Sequence, residues 1–234
     1  MRCDLQYSDI NVKIIEIFNI CNVKSFPLNC ESMVTELNCK LYKYSELSQE
    51  KLNKCLLVSD DSMKLHNRIY YNDNMIEGKI RFSIMHELGH ILLGHGDYKN
   101  DIFETEANYF SSHILAPRMA IHYSGCKNHV HVAKIFNISF EAAQIAFDDY
   151  GRWHRRAVYK MDGFDKAMYS HFYNDKHKGF VYNIKTCKFC GKELLNEKSD
   201  YCEHCFNKLS YIDYAKKDKY FYAAENTWLY GGIY

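Results

Sequence analysis

The chain lacks a surplus of either charge: 30 Lys and Arg stand against 29 Asp and Glu, a net of +1 over 234 residues. That balance argues against a protein built around a nucleic-acid footprint, which needs a basic face. It also lacks any apolar run of membrane-spanning length, which takes about 20 residues as a helix. Nor does the beginning, Met1-Arg-Cys-Asp-Leu-Gln-Tyr-Ser-Asp9, have the charged-then-apolar layout of a secretory signal. A cytoplasmic protein with no membrane partner is therefore expected. Proline occurs only twice, and no low-complexity stretch or internal repeat separates the segments. What remains is a chain long enough for one large domain or two small ones with a real core.

Periodicity divides it into three blocks. Residues 1–125 read as an α+β unit, with an amphipathic helix at Asp9–Phe18 and a weaker helical stretch at Ser32–Leu37. A strand at Lys40–Tyr44, a turn at Asp60–Ser62 and a strand at Arg68–Asn72 follow, and a later helix at Phe103–Leu115 stops before Pro117. Residues 126–160 read as two short helices, Val130–Phe136 and Phe140–Phe147, with Ser139 capping the second. Their tight turn gives a helix-turn-helix-like outline. Glu141, Asp148 and Asp149 on the second helix would repel phosphates, so a hairpin covering the first block is the favoured reading and direct nucleic-acid binding is not expected. The Arg152–Arg156 cluster reads as a solvated basic face.

The third block, 161–234, carries four of the ten cysteines as two paired knuckles, Cys187-Lys-Phe-Cys190 and Cys202-Glu-His-Cys205. Such pairs place four thiolates at the corners of a tetrahedron, and Gly191 permits the turn after the first. A closed site of this kind holds a structural zinc with no position open for chemistry. Cys3, Cys21, Cys30, Cys39, Cys55 and Cys126 have no ligand-like spacing and read as small apolar residues. An aromatic stretch runs from Tyr214 to Tyr222 and on to Tyr234.

The segment that proposes a reaction is His86-Glu-Leu-Gly-His90, set among Ile84, Met85, Leu88, Ile91 and Leu92. With 12 histidines available, a shuffled chain shows this spacing in roughly 4% of trials. On a helix His86 and His90 lie one turn apart on one face, so both imidazoles can reach one ion. Zinc so held has room for a third protein ligand and for a water, whose pKa it lowers towards neutrality, and Glu87 can take that proton. A buried structural helix would gain nothing from two His and a Glu at these places.

The third ligand is not His95, which falls one residue short of the extended pattern with a third histidine and reads as a helix-end residue or one behind the ligands. A better candidate is Glu104, with Asn108 one turn on to orient a ligand imidazole. Glu106 points to another side of that helix and reads as a surface acid, and His113 as a structural histidine. Tyr109, His113, His122 and Tyr123 stand open as donors to the developing oxyanion.

Arg81–His95 together with Glu104–Pro117 resembles the ImmA/IrrE family of metallopeptidases of bacteria and phages, over roughly residues 10–155; Ala116 stands where the family commonly has Met. The resemblance implies a gluzincin-like zinc peptidase core with a small antiparallel sheet, to which the helix-turn-helix-like hairpin and a carboxyl-terminal zinc ribbon are added. It implies catalytic zinc on His86, His90 and Glu104, a general base at Glu87, and Asn108 behind the ligands. It also implies a protein substrate, a helix-turn-helix repressor encoded beside the peptidase, whose cleavage relieves repression in a phage or mobile element. Two rivals are carried with it: a regulator that binds DNA or a repressor through hairpin and knuckles, and the protease of a toxin–antitoxin or defence locus.

Overall fold

The computed structural model describes residues 7–96, 98, 100–157 and 161–209. They form two compact units, one reaching Asn183 and one beginning at Ile184. The sequence blocks 1–125 and 126–160 both fall in the first, and the aromatic stretch from Tyr214 lies outside the described residues. Among the described residues no helix is long and apolar enough to cross a membrane.

Helix α1 (Ser8–Ile20) forms around Ile10, Ile14, Ile17 and Phe18, a buried stripe at helical spacing. Helix α2 (Cys30–Glu36) starts where the Ser32 amide donates to the Asn29 side chain. Then come β1 (Lys40–Lys43), α3 (Gln49–Leu56), β2 (Ser62–Leu65) and β3 (Arg68–Tyr71). Their three strands lie in the order β1-β3-β2.

This sheet corrects an expectation. It is mixed rather than antiparallel: β3 pairs antiparallel with β2 but parallel with β1. A parallel neighbour needs a long crossover, and residues 44–67 supply it. They carry α3 and β2, which the sequence pattern had not marked. Among the residues of α3 only Cys55 is buried, so no apolar stripe was there to read.

Helices α4 (Glu77–Leu92) and α5 (Asp101–Leu115) follow, then α6 (Arg118–Tyr123) and the pair α7 (His129–Phe136) and α8 (Phe140–Ala157). Asn137 takes a left-handed conformation between the last two, and the Ala142 amide donates to the Ser139 hydroxyl. Helix α8 runs on past Phe147 because Ala143, Ala146 and Trp153 continue its buried face. The Trp153 indole N–H donates to Asp165, which belongs to the capping box of α9 (Gly163–His171). A hairpin of β4 (Tyr173–Asn174) and β5 (Gly179–Phe180) completes the first unit, where Phe18, Phe26 and Phe172 pack with ring centres 5.2–6.1 Å apart. The second unit is smaller: β6 (Ile184–Thr186) pairs antiparallel with β7 (Glu193–Leu195), residues 203–209 are helical, and Leu194 is buried with Cys187, Cys202 and Cys205.

What positions the site is the approach of α4 to α5. A Cβ on Gly89 would lie 2.9 Å from Cδ1 of Phe110, a side chain with no exposure. The two helices meet there with no room for a larger residue on α4. Gly89→Val should therefore lower the stability to thermal unfolding by about 1–3 kcal/mol through overpacking. An unchanged melting temperature would show that the interface is looser than described.

Candidate active site

His86 and His90 project from one face of α4 towards Glu104 on the first turn of α5. Their Nε2 atoms are 3.0 Å apart. The Glu104 carboxylate oxygens lie 3.2 Å from Nε2 of His86 and 3.5 Å from Nε2 of His90. Asn108, one turn beyond Glu104, sets its Oδ1 3.0 Å from Nδ1 of His86. A proton on that Nδ1 leaves the Nε2 lone pair facing Glu104. Two imidazole nitrogens and a carboxylate turned to a common point are a donor set that suits zinc. Burial, then the neighbouring His86, push the His90 pKa down to about 4, so its ring stays neutral at pH 7 and keeps a lone pair.

The end of α4 adds residues that the sequence reading set apart. Gly94 has φ +71°, a left-handed conformation that glycine adopts without strain. It closes the helix with paired bonds, the His95 amide to the His90 carbonyl at 3.0 Å and the Gly94 amide to that of Ile91 at 3.2 Å. The turn folds His95 back under His90, with Nδ1 of each ring 3.0 Å from the other. Nε2 of His95 then meets Oε2 of Glu106 at 3.0 Å. Glu106 is partly exposed and outside the ligand group, in keeping with its spacing, and it holds His95 as a partner. Its partner arrives from a turn whose shape the sequence pattern did not reveal.

Glu87 is buried, and the Ser62 hydroxyl donates to it at 2.8 Å. Burial pushes the Glu87 carboxyl up, against the lowering effects of that hydrogen bond and of His86. Ser62, which holds it, is the first residue of β2, where the sequence pattern suggests a turn. Nothing in its local sequence marks it, because only the sheet brings β2 onto α4.

These groups open on a cleft of about 1550 Å³ between β2, α4, α5 and α8. Tyr109 and His113 line it. Of the other oxyanion candidates, His122 packs among Tyr150, Trp153 and His154, and Tyr123 stacks on Phe180. Arg152, Arg155 and Arg156, read as a solvated face, also line the cleft. Asp149 faces inward there, taking hydrogen bonds from Arg118 at both oxygens and an ion pair from Arg152 at 3.2 Å. His113 Nε2 stands 3.3 Å from the same carboxylate. Burial pushes the Asp149 carboxyl up, but His113 and Arg118 outweigh it and hold it well below the usual range.

In the second unit the sulfurs of Cys187, Cys190, Cys202 and Cys205 lie within 4.8 Å of one another, a second group able to hold a metal ion. The Cys202 amide donates to the Cys187 sulfur at 3.3 Å, and Gly191 takes φ +73° in the turn between. Burial raises the Cys187 thiol, but backbone amides converging on the sulfur overcome it and bring the pKa down to about 6, which favours the thiolate that metals bind. Cys21, Cys30, Cys39, Cys55 and Cys126 form no disulfide among the described residues and belong to neither group; Cys3 lies outside the described residues.

Residues 36–148 match a peptidase family described as the IrrE N-terminal-like domain. Among solved structures, a Mycobacterium tuberculosis transcriptional regulator is similar, at 13% identity and a TM-score of 0.41, over 82% of this chain and 56% of that one. The chain thus spans little more than half the length of that protein. No curated protein matches it.

The Asp149 cluster has a consequence for acid stability. Its carboxyl is more acidic in the fold than in the unfolded chain, where about 3.9 is ordinary. Its contribution is therefore complete above that value and is lost as pH falls through the lower, folded pKa. Asp149→Asn should reduce stability at pH 7 by about 3 kcal/mol, since Arg118 is left buried without its anion. The difference from wild type should shrink below about pH 4 in urea unfolding series. A constant difference down to the acid limit would contradict the assignment.

Proposed function

We propose, from the match of residues 36–148 to the peptidase family described as the IrrE N-terminal-like domain, that the chain is a zinc-dependent endopeptidase. In this reading it cuts a helix-turn-helix repressor encoded beside it and so relieves transcriptional repression in the cytoplasm. The observation that carries it is the placing of Glu87: a buried carboxylate held by Ser62, next in sequence to His86, whose Nε2 converges with that of His90 on Glu104. His86, His90 and Glu104 would hold zinc, which when bound polarises the scissile carbonyl and acidifies the attacking water.

The remaining work falls to the chain. Asn108 fixes the His86 ring so that Nε2 is the free nitrogen. Glu87 takes a proton from the attacking water and passes it to the leaving amine as the peptide bond breaks. Its raised proton affinity, caused by burial, suits a base that must later act as an acid. Of the oxyanion candidates Tyr109 and His113 line the cleft wall, and the Tyr109 hydroxyl, which donates to Asn11 at 3.0 Å, would have to turn from that partner to serve.

A protein substrate is supported by size, because a cleft of about 1550 Å³ exceeds what a single small solute fills. The core would be gluzincin-like, and the α7–α8 hairpin, with its helix-turn-helix-like outline, would serve as a wall of the cleft rather than as a DNA reader. The four cysteines would close around a structural zinc in a ribbon-like module that braces its unit or recruits the target.

The test is cleavage of that repressor by purified protein at equal zinc loading. Glu87→Gln should slow it by roughly 10²–10⁴-fold, and His90→Ala should abolish it while the cysteine-bound zinc stays. Undiminished cleavage by Glu87→Gln would remove Glu87 from the mechanism.

A further inference from the structure

Beyond the three residues that would hold the ion, a second carboxylate reaches the same centre through two imidazoles. We infer that His95 and Glu106 are positioning residues that fix the protonation form and orientation of His90 and thereby set the metal affinity of the site. The inference rests on the zinc site proposed above.

Three contacts of 3.0 Å form one line: Glu106 Oε2 to His95 Nε2, His95 Nδ1 to His90 Nδ1, and His90 Nε2 to His86 Nε2. Hydrogen bonding allows one proton arrangement that leaves His90 fit for a metal. Its Nε2 must present a lone pair, so the ring proton sits on Nδ1 and is donated to Nδ1 of His95. His95, accepting there, carries its own proton on Nε2, and the Glu106 carboxylate is the acceptor that this proton needs. Were Glu106 absent, His95 could hold its proton on Nδ1 instead. That form would require a lone pair at His90 Nδ1 and so move the His90 proton to Nε2, where it blocks ligation.

The His95 ring is held for this task and not merely nearby. Its side chain is 3% exposed and lies parallel to the Phe103 ring, 4.4 Å between centres and 4° between planes. Its backbone is fixed by the Gly94 turn. The two imidazoles are therefore supported differently, His86 by the neutral amide of Asn108 and His90 by a carboxylate acting through a second imidazole. Carboxylate support raises the donor strength of a ligand imidazole, so His90 should be the stronger ligand of the two.

The experiment is a zinc titration against a competing chelator on the full chain. Cobalt substitution serves as internal control, because its thiolate charge-transfer band reports the cysteine group separately. His95→Phe keeps the stack on Phe103 but offers no acceptor, and should weaken zinc binding at the histidine site by roughly 10–100-fold. His95→Asn, whose carbonyl can stand where Nδ1 stood, should recover part of that loss. Glu106→Gln, a near-isosteric change at a half-buried position, should lie between wild type and His95→Phe. The zinc-free melting curve of Glu106→Gln should match wild type, as a purely structural role would not allow alongside weakened binding. His95→Phe binding zinc as tightly as wild type, while His90→Ala loses it, would overturn this inference alone. Unaltered zinc binding by His90→Ala would overturn the metal site itself and this inference with it.

Discussion

How closely α5 can lie on α4 decides whether Glu104 meets the two histidines at all. The histidines are one turn apart on α4, a placement that any helix would give them. Glu104 comes from another helix, and its carboxylate reaches within 3.2 Å of His86 because Gly89 leaves Phe110 room to pack against the backbone of α4. The same packing carries Asn108 to His86 and Glu106 to His95. One small residue inside the motif thus serves three side chains on the neighbouring helix. Loosening that contact would disturb the carboxylate, the amide and the far end of the histidine line together.

Legibility in the sequence followed the range of each interaction. His86, Glu87 and His90 could be read because their relation is contained in one helical turn, and Glu104 with Asn108 because a second turn supplies the same spacing. The cysteine knuckles were readable for the same reason. Ser62 was not, since its role comes from β2 lying beside α4, and β2 is a four-residue strand without a clear alternation of burial. The His95 partner of Glu106 is not legible because it depends on the left-handed turn at Gly94. Helix α3 was missed because its exposed surface removes the apolar stripe that marks a helix. The mixed sheet was likewise out of reach, as strand direction is set by the crossover and not by the strand residues.

The cleft gives the hairpin a role that the outline of two helices and a turn does not suggest. Helix α8 turns Asp149 inward to Arg118 and His113, so an acid that sequence alone placed against phosphates neutralises a buried guanidinium. Its arginines are solvent-exposed, and the same side chains line the cleft. Fold and site are therefore joined through α8: the side that covers the first block is also a wall of the space where a substrate would lie. In the second unit the four sulfurs form a closed group of their own, with no carboxylate or imidazole among them to suggest chemistry.

In the proposed site α4 and α5 hold one metal ion between His86, His90 and Glu104. Anomalous diffraction from crystals of the zinc-loaded protein, recorded on both sides of the zinc absorption edge, tests it most directly. A zinc peak is expected within bonding distance, roughly 2.0–2.2 Å, of both Nε2 atoms and the Glu104 carboxylate, in addition to one at the cysteine group. A zinc peak at the cysteines alone, with His86, His90 and Glu104 still converged around no ion, would contradict it.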